Sequence, residues 1–212
     1  MNVGRFACIA EVTNTSRNLS AYAAAPGNYQ LRLTVGDEVR TQDFEILIDP
    51  RLAGIAADPV AEYRELDRIS RALFANAQEM EQGVLELRRV RDQMALILEM
   101  TQSAEATAGL NELTADAEEW ESRILQKYLQ TSQNNYMFEA RQLVKFKDLL
   151  GRISGANIPV TAGVKEVSRD YIVEWEGNRA DLDLLRQRIR EFNAVLREAG
   201  LPEIYLGGRV VS

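Results

Sequence analysis

From Ala162 to Ala199 the apolar residues recur at every third or fourth position: Val164, Val167, Tyr171, Trp175, Leu182, Leu185, Ile189, Phe192 and Leu196, with Asn178 as the one polar member. Steps of three and four place all of them on one side of a 3.6-residue helix. A strand, with its period of two, would scatter them over both faces. The stripe therefore predicts a single long helix with a coiled-coil-like seam, in which a buried Asn178 sets register. Thr161 is the expected N-cap. Gly200, followed two residues on by Pro202, is the expected stop.

The same period runs through the preceding hundred residues. Asp58-Pro59 opens a helix, with Asp as N-cap and Pro in its first turn, while Glu62 and Glu65 suit the positive end of the helix dipole. That helix is expected from Pro59 to Met100, with Leu66, Ile69, Leu73, Ala77, Met80, Val84, Leu87, Met94 and Leu98 inward and Gly83 as a weak point. A second helix, capped by Ser103, is expected to run to Gln130 with Leu110, Leu113, Ala117, Trp120, Ile124 and Tyr128 inward. Thr131 to Asn135 is a polar break. A third is expected from Phe138 to Ile153 with Leu143, Phe146 and Leu150. Long helices joined by short breaks run antiparallel. The expectation is an up-down bundle of three to four helices over residues 58–200, with Trp120 and Trp175 in its core and residues 201–212 as a tail.

Residues 1–50 carry a different pattern. Tyr29, Leu31, Leu33 and Val35 alternate with polar residues, Gly36-Asp37 follows, and Phe44, Ile46 and Ile48 alternate again. Period-two alternation on both sides of a Gly-Asp turn predicts an antiparallel β-hairpin. Val3 to Val12 reads as a third strand and Thr13 to Ala25 as a loop. An isolated hairpin is marginal in water, so this one should pack on the helices or belong to a sheet whose other strands lie elsewhere.

Composition removes several function classes. The chain has no histidine. That excludes a Ser-His-Asp triad, a Cys-His pair and any His-containing metal site. The single cysteine, Cys8, cannot form an internal disulfide; within Phe6-Ala7-Cys8-Ile9-Ala10 it reads as a small buried hydrophobe rather than a reactive thiol. A net charge of −7 opposes nucleic-acid binding, which needs clustered Lys and Arg. No apolar run approaches the roughly 20 residues of a membrane span. The first ten residues are too weak for a signal peptide.

The charged clusters read as solvated faces. Asp116, Glu118, Glu119 and Glu121 form one acidic group; Asp181 and Asp183 form another. Arg88, Arg89 and Arg91 form a basic group, and Arg141, Lys145, Lys147 and Arg152 a second, the one place where an anion site is conceivable. No acidic residue falls on a seam, so a bundle metal site is not expected. Ser154-Gly155-Ala156-Asn157 lacks the order and the base of a nucleophile turn. Gly207-Gly208 lacks the context of a phosphate loop and reads as a flexible end. No residue is assigned a catalytic, cofactor or metal role.

Several segments together resemble a known arrangement. Pro26-Gly27-Asn28-Tyr29-Gln30-Leu31-Arg32-Leu33-Thr34-Val35-Gly36, then Thr41-Gln42-Asp43-Phe44 and Asp49-Pro50-Arg51, is similar to the "PGxYxVxLxVxG…TQxFxVxxDPR" segment of large bacterial sortilin-like proteins with BNR-repeat β-propellers, often labelled glycosyl hydrolases. Residues 150–161 resemble that family's "LyGxxxGADxxPT" loop, and Phe192 to Pro202 its closing "LNxxLxxAGLPxI". In the family the first segment closes an Ig-like module and a helical region ends the chain. The resemblance covers residues 26 to 205; the propellers and their BNR motifs are absent, and Met1 to Tyr22 has no counterpart. It implies a non-catalytic C-terminal accessory piece of a secreted or periplasmic protein, with the propeller domain as partner. If Met1 is instead the true start, the expectation is a cytoplasmic stand-alone interaction module that recruits a partner through the bundle face or the hairpin edge, the edge also offering a route to oligomers.

Overall fold

The computed structural model describes residues 22, 24–52, 54, 56–126, 139–154 and 160–207. In chain order they form β1 (Gly27–Val35), β2 (Glu38–Ile46), a 3-10 turn at Pro50–Leu52, α1 (Pro59–Met100), α2 (Ala104–Ile124), α3 (Gln142–Ile153) and α4 (Ala162–Glu198). The expected mainly α fold, a helical bundle behind a short antiparallel hairpin, is the one observed. Cys8, the expected third strand and the polar break at 131–135 lie outside the described residues.

Local chemistry sets most helix ends. The Asp58 carboxylate accepts from the Ala61 N–H at 3.0 Å, the Ser103 hydroxyl from Ala106 at 3.2 Å and the Thr161 hydroxyl from Val164 at 3.3 Å. Each satisfies one orphan donor of a first turn. At the end of α4, Leu201 N–H reaches Leu196 O at 2.8 Å and Gly200 N–H reaches Arg197 O at 3.1 Å, with Gly200 at φ +69. That pair of bonds is a Schellman stop, and the left-handed φ favours the glycine. The α3 start differs: Arg141 occupies its N-cap and makes no side-chain capping bond.

Helix α2 stops at Ile124 rather than Gln130. Leu125 is extended (φ −122, ψ 141), and both Ile124 and Leu125 are buried.

The four helices make three columns. After the tight connection at Thr101, α2 returns along α1, with Thr114 Oγ1 3.5 Å from Met94 Sδ and Arg91 2.7 Å from Glu118. Helix α3 continues in the same direction, with Lys147 on Glu81 and, just past its end, Val160 N–H on Glu62 at 2.9 Å. Helix α4 then runs back parallel to α1, as the contacts Trp175 to Glu79 and Arg186 to Glu86 establish. The expected antiparallel reversal therefore holds for α1/α2 and α3/α4 but not for α2/α3. Those two are joined by residues 125–141, a span long enough to continue the column instead of turning it back.

Trp120 and Trp175 meet in the core, with ring centroids 6.4 Å apart. The Trp120 indole N–H donates to Asn178 O at 2.7 Å, which removes the cost of burying it. Met80, Val84, Leu87, Val90 and Met94 continue the core along α1, all fully buried. Burial of each such side chain is worth about 1.5–3 kcal/mol. Gly83 is not merely a weak point. A Cβ there would lie 2.8 Å from Leu182 Cδ2 and 3.0 Å from Trp120 Cη2, so the indole packs on bare backbone.

The α4 seam shifts by one position at both ends: Ser168 is buried in place of the 38 % exposed Val167, and Asn193 is buried beside a half-buried Phe192. Asn193 then holds the chain beyond α4. Its amide donates to Ile204 O at 3.0 Å and accepts from Ile204 N–H at 2.8 Å. Gln93 makes the same reciprocal pair with Tyr205, at 3.0 and 2.9 Å. Residues 201–207 therefore lie against the bundle.

The hairpin register pairs Tyr29 with Phe44, Leu33 with Arg40 and Val35 with Glu38. Gly36 at φ +59 is followed by Asp37 at negative φ, the type II′ pattern that suits the strand twist. Tyr29 and Phe44 stack at 5.8 Å on the apolar face. Beyond that pair the face is open: Leu31, Leu33 and Val35 are 49, 58 and 67 % exposed. Among the described residues no helix packs along it; the extensive contacts of β1 and β2 are with each other. The hairpin base is tied to α1 where Tyr22 meets Phe74 edge-on at 5.7 Å.

Candidate functional site

The charged clusters of the sequence sort into pairs. Glu121 is 2 % exposed, not part of a solvated face. Its Oε1 accepts from Arg88 Nε and Nη2 at 2.9 and 2.7 Å, and its Oε2 from Arg91 Nη1 at 2.8 Å. Arg91 also reaches Glu118, while Asp116 pairs with Arg188 of α4. The acidic group of α2 and the basic group of α1 are thus each other's counter-charges. Glu119 and Arg89 stay exposed. Asp183 pairs with Arg186 at 2.7 Å.

Acidic residues do reach the interior, contrary to the seam reading. Glu81 is 2 % exposed and bonded to Lys147 of α3, itself 8 % exposed. Burial pushes the Glu81 carboxyl above its ordinary range, and Lys147 pulls it back only in part. The spacing of α1 gave one clue: Glu81 lies four residues before Leu85 and four after Ala77, on the edge of the stripe. Among the described residues no group of three His, Cys, Asp or Glu side chains converges as a metal ion requires. No helix is long and apolar enough to cross a membrane.

Removing Lys147 to Glu81 and Arg152 to Asp148 breaks up the α3 basic cluster. What remains, Arg141 and Lys145, faces a cleft of about 370 Å³. The cleft lies where the middle column is broken, between the end of α2, the start of α3 and the middle of α4. Arg123, Glu139, Gln142, Glu174, Gly177, Asn178 and Asp181 complete its polar lining. Within it Arg123 pairs with Asp181 at 2.6 Å, and Lys145 lies 3.8 Å from Glu174. The Asn178 amide donates to Gln142 Oε1 at 2.8 Å, joining the expected register residue to the first residue of α3. Three buried donors of the lining have no acceptor: Arg123 Nε, Arg141 Nε and Gln142 Nε2. Such groups usually cost about 1–3 kcal/mol each when left unpaired, so their grouping is informative.

Sequence reasoning singled out Arg141 and Lys145 but missed Arg123 and Gly177, which approach from α2 and α4, and Gln142, which follows Arg141 at the start of α3. The Ser154 hydroxyl donates to Leu150 O at 2.6 Å. Residues 155–159 and Gly208 lie outside the described residues. Comparison with protein-family models, with curated proteins and with solved structures found no match.

Proposed function

We propose that the chain is a non-catalytic C-terminal accessory module of a sortilin-like BNR-repeat propeller protein, its hairpin the closing strands of an Ig-like module and its bundle the helical end. The observation that carries this reading is the open β1 half of the hairpin face, with Leu31, Leu33 and Val35 about half or more exposed and, among the described residues, no helix laid over them. A two-stranded ribbon is marginal alone and gains stability from further strands or from packing on another layer. In the resembled family that layer would come from the preceding Ig-like strands, and the parent would be secreted or periplasmic.

The test is the reading frame upstream of Met1 together with a sugar-hydrolysis assay on the purified chain. Continuation into further strands and propeller repeats, with no turnover by this chain, is the expected result. A ribosome-binding site directly before Met1 defeats the module reading, and turnover lost on mutating one carboxylate defeats the non-catalytic one. A second reading, a stand-alone interaction module, draws on the two outer hairpin edges, which pair with no other strand among the described residues and so offer backbone groups for strand addition.

A further inference from the structure

We infer that the cleft between the end of α2, the start of α3 and the middle of α4 is a carboxylate-binding site, with Arg141 as its cation. The pairing of the charged side chains, not their net count, points to this ligand class. Three cations (Arg123, Arg141, Lys145) and three acids (Glu139, Glu174, Asp181) line the cleft. Arg123 is matched by Asp181 and Lys145 by Glu174. Among the described residues Arg141 has no ion-pair or hydrogen-bond partner for its guanidinium. The intervening chain, 127–138, contains neither Asp nor Glu and cannot supply a counter-charge.

The second observation is independent of charge. Gln142 is 1 % exposed, and its Nε2 has no acceptor while its Oε1 is held by Asn178. Arg123 Nε and Arg141 Nε are unpartnered on the same lining. Three buried donors of the lining thus lack an acceptor. It also adjoins an α3 N-terminus with no side-chain cap and no acid in its first turn. Such an end favours an anion. Arg141 and Glu139 are the two charged groups of the lining left without an ion pair among the described residues, so the cleft is charge-balanced and suits a single negative charge rather than the two of a phosphate. Arg and carboxylate match geometrically through paired N–H donors. Gly177 leaves room: a Cβ there meets nothing within 4 Å.

The ligand is either a small free carboxylate or a chain-terminal one, and a side-chain NMR titration separates them. The probes are acetate, N-acetyl-alanine and its amide, inorganic phosphate, and chloride at matched ionic strength. The Gln142 side-chain amide and Arg141 Nε–H should shift along a saturating curve with both carboxylates and with neither the amide nor chloride. Binding of N-acetyl-alanine ten-fold or more tighter than acetate assigns a chain end; a smaller ratio assigns a free carboxylate. Arg141→Met should weaken binding by about ten-fold or more, in line with loss of a charge-assisted bond. Gly177→Leu should block the cleft. Absence of saturation with both carboxylates, saturation by phosphate alone, or an unchanged response in a folded Arg141→Met protein overturns the assignment.

Discussion

Three glycines in helices look alike in the sequence and differ in what faces them. At Gly109 a Cβ would strike the Phe192 ring, 2.7 Å from Cζ and closer still to Cε2. At Gly177 it would meet open space. Helix propensity favours alanine at both by up to about 1 kcal/mol. Gly177→Ala should therefore stabilise by about 0.5–1 kcal/mol. Gly109→Ala should destabilise by about 1–3 kcal/mol, since overpacking outweighs propensity. Urea midpoints of the two variants measure this, and equal shifts of the same sign would contradict the packing at Gly109. Gly83, read from sequence as a weak point, belongs with Gly109. What decides is a ring from another helix, and helical spacing does not report which ring arrives. The same limit hid Glu121 and Glu81: each lies at the border of a stripe, and only the Arg88–Arg91 and Lys147 partners make burial tolerable.

At the scale of elements, the caps of α1, α2 and α4 were legible because they depend on neighbours in sequence: Asp58 with Pro59, Ser103, Thr161 and Gly200. The direction of α3 was not, because it depends on the length of chain joined to α2 and on what holds α3 to α1. The Glu81–Lys147 pair is part of that hold. Removing only Lys147 leaves a buried carboxylate alone, so Lys147→Met should cost about 3–5 kcal/mol at neutral pH. Glu81→Leu with Lys147→Met should recover most of it, or exceed the parent. The pH sign follows from Glu81. In the folded protein burial holds its pKa above the ordinary 4.5, so the folded state binds the proton more tightly than the unfolded state. The stability of Lys147→Met should therefore be nearest the parent's below pH 4.5 and fall as pH rises through the elevated folded value. Denaturation across that range measures it; a loss independent of pH would mean Glu81 is not the group left unpaired. The cleft was half legible for the same reason as α3: Arg141 and Lys145 stand together in sequence, whereas Arg123, Gly177 and Asn178 arrive only when the broken column packs on α4.

For the whole molecule, one long-range core built on Trp120 and Trp175 unites the three columns, and Gln93 and Asn193 close it by holding residues 204 and 205. The hairpin stands outside that core. Its turn and register were readable from alternation and Gly36-Asp37, but alternation does not say what the apolar face meets. On the proposed reading the bundle is self-sufficient and the hairpin is part of a sheet completed by other strands. Backbone hydrogen exchange on the purified monomeric chain tests this most directly. Amides in the middle of α1, α2 and α4 should be protected by about a thousand-fold or more, while those of Gly27–Val35 and Glu38–Ile46 should exchange close to unstructured rates. Protection of the hairpin equal to that of α1 would contradict it, because the apolar face of the strands would then already be covered.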